Sequence, residues 1–452
     1  GFIGGGKCNY VSGINNSIVG GISNTSSGEI SFIGSGKQNH IYGGSGYYSS
    51  FSFIGAGSCN TICKSISVGI LAGNCNSVLG YRSNDSIIVG GRQNEISGYG
   101  YRSFIGGGQI NCITRQNSSI LNGCKNTINP TSTSCNYNFI GSGVSNKLHN
   151  SAAYSSIING LQNTSSRSCS VIIGGACNIN NAIYGFIGGG NCNKLYCLVS
   201  QEACFSSILN GTSNIISGSY SFIGSGCNNK IEFNSSKQFS IIVGGTSNTA
   251  SGVRSFIGNG ECNQVGGGDS IIVGGSYNSA SAGFSTIVGG TRNTASGQCS
   301  FIGNGCKNNI GSGFDGASSF RNFIGNGNSN IITGATVCNN IIGNGDQNSM
   351  NTYYPSSGAV LNSVIGGGIY NSIVSRYTTC NVFIGGGKAN CISAGAGCSA
   401  YNHVIVGGEI NCIFADRFST IGGGCSNTIS EYNNFSFIGG GKNNHSSGMY
   451  AY

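Results

Sequence analysis

The sequence predicts an all-β protein, a parallel β-solenoid of about 26 rungs with a minimal repeat of roughly 15 residues. Three observations predict this fold. A heptapeptide of the form I-x-x-G-x-x-N occurs 26 times, from Ile3–Asn9 to Ile438–Asn444. In its most regular stretch its Asn recurs at an even spacing, at positions 248, 263, 278, 293 and 308. Gly is abundant, at 81 of 452 residues, without the period of collagen. Repetition of this kind inside one chain is typical of a solenoid.

Each repeat contains two short apolar segments that suit β-strands. The first contains the repeat Ile, and the second contains the position two residues after the repeat Asn, which is apolar in 22 of 26 copies. The segments are about four residues long and rich in β-branched side chains. The density of Gly, at ~1 kcal/mol per residue relative to Ala, excludes a helix. We predict one continuous domain over residues 1–452, roughly 120 Å long at ~4.8 Å per rung.

Two residue columns are expected to hold the rungs together. The repeat Ile points inward and stacks on its counterparts, and the repeat Asn forms hydrogen-bonded amide ladders along the axis. Ligand binding is the alternative role for the Asn column. The predicted ladder residues of the regular stretch are Ile257, Ile272, Ile287, Ile302, Asn263, Asn278, Asn293 and Asn308.

A Phe precedes the repeat Ile in 12 copies and should point outward, because side chains alternate along a strand. A row of outward Phe on a narrow solenoid predicts burial between chains. The alternative is that these Phe side chains are singly exposed. The candidate interface residues are Phe104, Phe222, Phe256 and Phe301.

In six places the spacing of the repeat Asn is clearly longer than in the regular stretch. The heptapeptide stays intact there, so the extra residues enter after the second segment and all loops should leave one edge. Loops on one edge are where repeat proteins usually bind partners. Tyr47, Tyr48, Tyr353 and Tyr354 are the candidate binding residues, and harmless variation in length is the alternative. The six long intervals are 39–60, 126–146, 193–214, 308–330, 348–371 and 390–411.

The 22 Cys include pairs at equivalent positions of successive rungs. Cys59 with Cys75, and Cys177 with Cys192, should lie about 4.8 Å apart at Cα, a separation that a disulfide tolerates. Free thiols that pack as small apolar groups are the alternative. With four His and no paired C-x-x-C motifs, zinc sites are not supported, and we expect no metal and no cofactor. Abundant Cys favour an oxidising, extracellular setting.

Charged residues make up 7% of the chain, and the formal net charge is +9. Solubility explains this weak positive charge; a polyanion-binding stripe is the alternative, although nucleic-acid binders concentrate far more charge. No apolar run is long enough to cross a bilayer, so we expect no membrane span. The 12 acids and four His form no catalytic arrangement, so we expect no enzymatic activity. Neither end carries a visible cap, which predicts stacking on other copies or a longer parent chain.

The unit Ser255–Asn263 and the segment Asn248–Ser255 resemble the head repeats of YadA-like trimeric autotransporter adhesins and related phage and viral fibre β-solenoids. This chain differs in one extra residue per unit, in Asn where that family has Ser, and in its many Cys. The resemblance implies a left-handed parallel β-roll, often trimeric, at a cell surface or in a phage or viral fibre.

These observations predict a structural role. We expect a subunit of an extracellular or virion-surface fibre that associates with itself through its ends and its outward Phe. An adhesin-like module that binds carbohydrate or a host surface through the edge loops is the alternative. Ice binding is a third class, but a regular Thr array is missing from the sequence.

Overall fold

A computed structural model of the chain describes residues 1–43, 50–131, 137–196, 205–232, 238–311, 318–352, 358–393, 399–415, 417–431 and 433–447. Within these ranges every regular element is a β-strand, and the strands pair in parallel. The predicted all-β parallel solenoid is thereby confirmed. The structure divides into two compact units, Gly1–Cys227 and Asn228–Tyr452. One continuous domain over residues 1–452 stays a prediction.

The first strand row consists of two-residue strands that end on the repeat Ile, 14 in the first unit and 12 in the second. In the first unit they are Phe2–Ile3, Ser17–Ile18, Phe32–Ile33, Phe53–Ile54, Gly69–Ile70, Ile87–Ile88, Phe104–Ile105, Ser119–Ile120, Phe139–Ile140, Ser156–Ile157, Val171–Ile172, Phe186–Ile187, Ser207–Ile208 and Phe222–Ile223. In the second unit they are Ile241–Ile242, Phe256–Ile257, Ile271–Ile272, Thr286–Ile287, Phe301–Ile302, Phe323–Ile324, Ile341–Ile342, Val364–Ile365, Phe383–Ile384, Val404–Ile405, Thr420–Ile421 and Phe437–Ile438.

The second strand row begins directly after the repeat Asn, with 13 strands in each unit. In the first unit they are Tyr10–Val11, Thr25–Ser26, His40–Tyr42, Thr61–Cys63, Ser77–Leu79, Glu95–Ser97, Cys112–Ile113, Thr127–Pro130, Lys147–Asn150, Thr164–Ser165, Ile179–Asn181, Lys194–Tyr196 and Ile215–Ile216. In the second unit they are Lys230–Ile231, Thr249–Ala250, Gln264–Val265, Ser279–Ala280, Thr294–Ala295, Asn309–Ile310, Ile331–Thr333, Ser349–Thr352, Ser372–Ser375, Cys391–Ser393, Cys412–Ile413, Thr428–Ile429 and His445–Ser446.

The repeat Ile forms one column of the core. Ile257 pairs in register with Ile272, and Ile287 follows and then Ile302. All four side chains are fully buried. A second apolar column comes from the middle of the second strand row, where Ala280 and Ala295 are also fully buried. Because these two columns give a rung at most two buried apolar side chains, the stability of a rung depends on the rungs on either side.

The repeat Asn forms a buried polar column in which the predicted bonds between side-chain amides occur in part, as from Asn348 Nδ2 to Asn330 Oδ1 at 3.1 Å, and most other hydrogen bonds run to backbone groups. The Oδ1 atom of Asn278 accepts from the backbone N–H of Asn293 at 3.0 Å. Its Nδ2 atom donates to the carbonyl of Gly274 in the same rung at 3.1 Å and to that of Gly290 in the next at 2.9 Å. Asn263 makes the same three contacts, and so does Asn293. Asn side chains have one acceptor and two donors, so each rung corner is satisfied by one residue.

The corner between the two strand rows contains two residues with positive φ. The Gly at the fourth position of the heptapeptide has a φ of 89° at Gly275 and 86° at Gly290. The residue at the sixth position is also left-handed, although it is rarely Gly: φ is 56° at Tyr277 and 57° at Arg292. Its N–H donates to the rung before, from Tyr277 to the carbonyl of Glu261 at 2.8 Å. That inter-rung bond offsets the ~1–2 kcal/mol that a left-handed residue costs.

In the second unit a third parallel sheet appears where the sequence predicts long edge loops. Its five strands are Ser318–Phe320, Thr336–Cys338, Ala359–Leu361, Thr378–Cys380 and Ala400–Tyr401. Val337, Val360 and Ala400 are fully buried under it. The prediction that the long intervals after Asn308, Asn348 and Asn390 are only loops is therefore wrong, since part of each interval widens the core.

Candidate functional site

The outer side of the first strand row is an uncharged face, which we call the apolar face. It consists of the residues directly before and after each repeat Ile, and none of these 52 side chains is charged. Several are large and exposed, among them Val19 at 50%, Val243 at 49%, Val273 at 47% and Val406 at 55%. Among the described residues, charged side chains lie at the corners of the rungs and in the second strand row.

Large side chains on the apolar face occupy either the position directly before the repeat Ile or the position directly after it, and in some rungs both. Each of the 12 Phe that precede a repeat Ile is followed, after that Ile, by Gly. The Phe ring lies along the strand over this Gly: the Cε1 atom of Phe256 is 3.5 Å from where a Cβ of Gly258 would be. Rungs without Phe mostly carry Val, Leu or Ile at the later position, as Val273 does. The face is therefore evenly apolar rather than a single row of Phe.

The predicted interface residues Phe104, Phe222, Phe256 and Phe301 all lie on the apolar face, partly buried by their own chain. Phe301 stacks on Phe323 of the next rung, with ring centroids 5.2 Å apart. Their predicted burial between chains stays a prediction.

A second corner, which leads from the second strand row back to the first, carries a column of exposed aromatic side chains. The corner residue has positive φ, for example 55° at Tyr184 and 56° at Tyr220, and its side chain projects outward. Tyr184 stacks on Phe205 with centroids 4.7 Å apart, and Phe205 stacks on Tyr220 at 5.4 Å. Tyr137 with Tyr154 and Phe418 with Phe435 form two further stacks. Equivalent corners of successive rungs bring these rings together.

A concave site lies on this same edge in the first unit, and we call it the Tyr–Arg groove. Three successive corners, residues 80–86, 98–103 and 114–118, build it. It encloses about 390 Å³. Its lining residues are Tyr81, Arg82, Asn84, Tyr99, Tyr101 and Gln116. Backbone bonds between rungs fix its walls: the N–H of Arg102 donates to the carbonyl of Asn84 at 2.9 Å, and Asn84 Oδ1 accepts from the N–H of Ile66 at 2.7 Å.

Cationic side chains pack on the tyrosine rings of the groove. The Arg82 guanidinium lies 4.7 Å from the centroid of the Tyr99 ring, and that of Arg115 lies 5.4 Å from the same centroid. Arg102 lies 4.6 Å from the ring of Tyr101. Such contacts hold a guanidinium flat while its N–H edge stays available for hydrogen bonds.

The groove is also positively charged. Its three corners contain Arg82, Arg102 and Arg115 against Asp85, a net charge of +2. Lys64 lies 4.9 Å from the Tyr81 ring centroid, and its hydrogen bond with Tyr81 raises the pKa of its ammonium group. The ion pairs of the described residues are Lys230–Glu232, Arg254–Asp269 and Lys388–Glu409, so none of them neutralises the groove.

The sequence did not predict the Tyr–Arg groove, because the groove lies outside the six long intervals for which binding was predicted. Tyr81 lies in the shorter interval between Asn76 and Asn94, and Tyr99 and Tyr101 lie in the next one, which ends at Asn111. The sequence does contain one indication of the groove. The dipeptide Tyr-Arg occurs on successive rungs, as Tyr81-Arg82 and Tyr101-Arg102. The predicted binding residues Tyr47, Tyr48, Tyr353 and Tyr354 lie outside the described residues.

The four Cys predicted to form disulfides are free thiols in the structure. Cys59 faces Cys75, and Cys177 faces Cys192, on neighbouring rungs. Burial, and then the nearby Cys59, raise the pKa of Cys75, and burial and Cys192 raise that of Cys177. The structure thus places both pairs side by side without cross-linking them, and their oxidation stays a prediction.

A third Cys pair was missed, because its members follow the repeat Asn rather than precede it. Cys391 and Cys412 are register partners on adjacent strands of the second row. The hydrogen bond from Cys412 lowers the pKa of Cys391 to about 7, while the same bond raises the pKa of Cys412. At the equivalent strand position in the first unit, burial raises the pKa of Cys112 to about 11.

We expect Cys391 to be alkylated by iodoacetamide at neutral pH, because the thiolate is the nucleophile. The rate should rise with pH and level off above about 7, whereas Cys112 should stay unreactive until pH exceeds 10. Peptide mass spectrometry over a pH series measures both sites at once. The variant Cys412→Ala should move the Cys391 profile to higher pH, and identical profiles for Cys391 and Cys112 would contradict the assignment.

The described residues include no group of three or more His, Cys, Asp and Glu placed to hold a metal ion. Among them, too, no helix has the length and apolar character needed to cross a membrane.

No protein-family model matches the chain, and no curated protein matches it either. The resemblance to the YadA-like head repeats therefore stays a prediction.

Proposed function

We propose that the chain is a structural subunit of an extracellular or virion-surface fibre, which associates with other copies of itself through the apolar face. The observation that carries this proposal is the absence of charge from the face over all 26 first-row segments. Twelve strands at ~4.8 Å make it about 50 Å long in the second unit, and a width of ~10 Å gives on the order of 500 Å². That is as large as the largest apolar patch of a typical monomer.

A second copy of the chain is the partner that fits this surface. The partner must be apolar and uncharged along its length, and it gains most from a matching repeat of ~4.8 Å. The apolar face of another copy has both properties. A face that pairs with itself gives an isologous contact, in which Phe256 and its neighbours pack against the Val and Leu rungs of the other copy.

Charge placed on the apolar face is expected to separate the copies. In the double variant Val243→Lys/Val273→Lys both side chains are about half exposed, so the isolated fold should tolerate the change. Burying two unpaired ammonium groups in a contact costs several kcal/mol. Sedimentation velocity should show assemblies for the wild-type chain and a shift of at least tenfold in the concentration needed to form them for the variant.

The matched control is Ser247→Lys, at the left-handed corner position where Lys307 occurs naturally with nearly the same φ, 54° against 56°. This variant adds charge away from the apolar face and should assemble like the wild type. Equal sedimentation of all three proteins as monomers would refute the proposal. Thermal unfolding of each variant shows whether the fold itself has changed.

A second candidate function, an adhesin-like binding module, is favoured by the Tyr–Arg groove. Binding sites are concave, contain aromatic side chains and carry a few polar groups that fix orientation. The groove has all three features, and it lies on the edge where the sequence predicts binding. Carbohydrate is the ligand class proposed for it, because aromatic rings and side-chain amides suit the apolar and hydroxyl surfaces of a sugar. A fibre subunit can carry such a site, so the two functions are compatible.

A further inference from the structure

We infer that the Tyr–Arg groove binds an acidic polysaccharide, one that carries carboxylate or sulfate groups, rather than a neutral one. This inference rests on the proposed binding function of the groove and names its ligand class. It follows from the charge of the groove, from the way its guanidinium groups are held, and from the spacing of its corners.

The guanidinium groups of Arg82 and Arg102 carry the inference. Each lies less than 5 Å from the centroid of a tyrosine ring, and neither forms an ion pair within the described residues. A stacked guanidinium loses little conformational freedom when it binds, and its fork of donors matches a planar carboxylate or a sulfate in a bidentate contact. Arg82 lines the groove, and Arg102 lies on the next rung against the ring of the lining residue Tyr101.

Arg115 packs on the ring of Tyr99, which lines the groove. Its Nη1 atom donates to the carbonyl of Thr114 at 3.0 Å, which fixes the side chain, while its Nε atom is buried without a hydrogen-bond partner. Arg115 therefore adds a positive charge held next to the groove.

The remaining lining residues favour a sugar over a nucleic acid. The net charge of +2 over the three corners of the groove is low for a nucleic-acid surface. Asn84 and Gln116 add amide groups that suit hydroxyls. Successive rungs repeat these groups about every 4.8 Å, close to the length of one sugar ring.

The test measures binding of the whole chain to four probes at one fixed salt concentration, by isothermal titration calorimetry. The probes are polygalacturonate, dextran sulfate, uncharged dextran and a single-stranded oligothymidylate. We expect binding to polygalacturonate or dextran sulfate, at least tenfold weaker binding to the oligonucleotide, and none to dextran. The double variant Arg82→Lys/Arg102→Lys keeps the positive charges but removes the bidentate guanidinium donors, and it should weaken binding at least tenfold.

The control variant is Lys125→Gln, which removes one charge from a separate basic groove formed with Lys147 and Gln162. It should bind the acidic polysaccharide like the wild type. An equal loss in both variants would overturn the inference in favour of unspecific attraction, and tighter binding of the oligonucleotide would overturn it in favour of nucleic acid. Binding of dextran as tight as that of the acidic probes would refute the acidic ligand but keep the binding module. Binding of no saccharide would refute both.

Discussion

Replacing Asn278 by Ala is expected to destabilise the second unit by about 3 kcal/mol, among the larger effects of a single substitution. The substitution removes the acceptor of the Asn293 N–H, which is fully buried, and both donors to the Gly274 and Gly290 carbonyls. A buried polar group left without a partner costs ~1–3 kcal/mol, and the lost side-chain volume adds to this. Chemical denaturation followed by far-UV circular dichroism measures the change.

The variant Asn278→Asp distinguishes the contribution of the accepting oxygen from that of the donating amide, because it keeps the acceptor and removes the donors. Burial raises the folded-state pKa of the new carboxyl group above the ~3.9 of the unfolded chain. The folded state therefore favours the protonated carboxyl group. The stability of the variant should be highest below pH 4 and fall as pH rises through the folded-state pKa. The wild type should lack this dependence over that range.

The matched control for both variants is Asn304→Ala, which removes an exposed Asn whose Oδ1 accepts from the N–H of Gly305. It should change stability by less than about 0.5 kcal/mol, as most surface substitutions do. If Asn304→Ala and Asn278→Ala cost the same, the Asn column does not hold the rungs together.

Replacing Gly275 by Ala is expected to disrupt the rung that contains it. Gly275 has a φ of 89°, and a Cβ there would collide with the carbonyl oxygen of Gly290 and approach Nδ2 of Asn278 to 2.6 Å. Both atoms belong to the hydrogen bonds between rungs, so neither can move without breaking one. We expect a loss of at least about 3 kcal/mol, from backbone strain and the broken bonds together.

The neighbouring Gly provides a control in the same rung. At Gly274 the nearest atom to an added Cβ is the carbonyl oxygen of Asn259, 3.9 Å away, so Gly274→Ala should be tolerated. Thermal unfolding of the two variants side by side compares the same chemical change at adjacent positions. Equal midpoints would contradict the steric account of the fourth heptapeptide position.

The sequence predicts the fold because the residues that determine it are the ones that repeat. Ile272 is buried, Gly275 has a positive φ, and Asn278 makes three hydrogen bonds, and their counterparts in the other rungs have the same roles. The spacing of these residues in the sequence therefore equals the length of one coil. The left-handed sixth position could not be predicted, because Tyr277 and Cys262 have no common property and inter-rung backbone bonds impose the conformation.

The candidate site was less predictable for a related reason. The Tyr–Arg groove forms from Tyr81, Tyr99 and Tyr101, which become neighbours only because equivalent corners stack, and no single rung contains the site. The length of an interval between repeat Asn residues did not predict whether that interval forms a binding site. Some long intervals form the third sheet around Val337 and Val360, whereas the groove lies in intervals only slightly longer than the minimal repeat.

The measurement that tests the central claim most directly is negative-stain electron microscopy of the wild-type chain over a range of concentrations, with and without reductant. We expect particles joined side by side through the apolar face, and we expect reductant to leave them intact, because no Cys lies on that face. Dissociation by reductant would place the contact at the cysteines instead. Separate, unpaired particles at every concentration would contradict self-association and leave the Tyr–Arg groove as the basis of function.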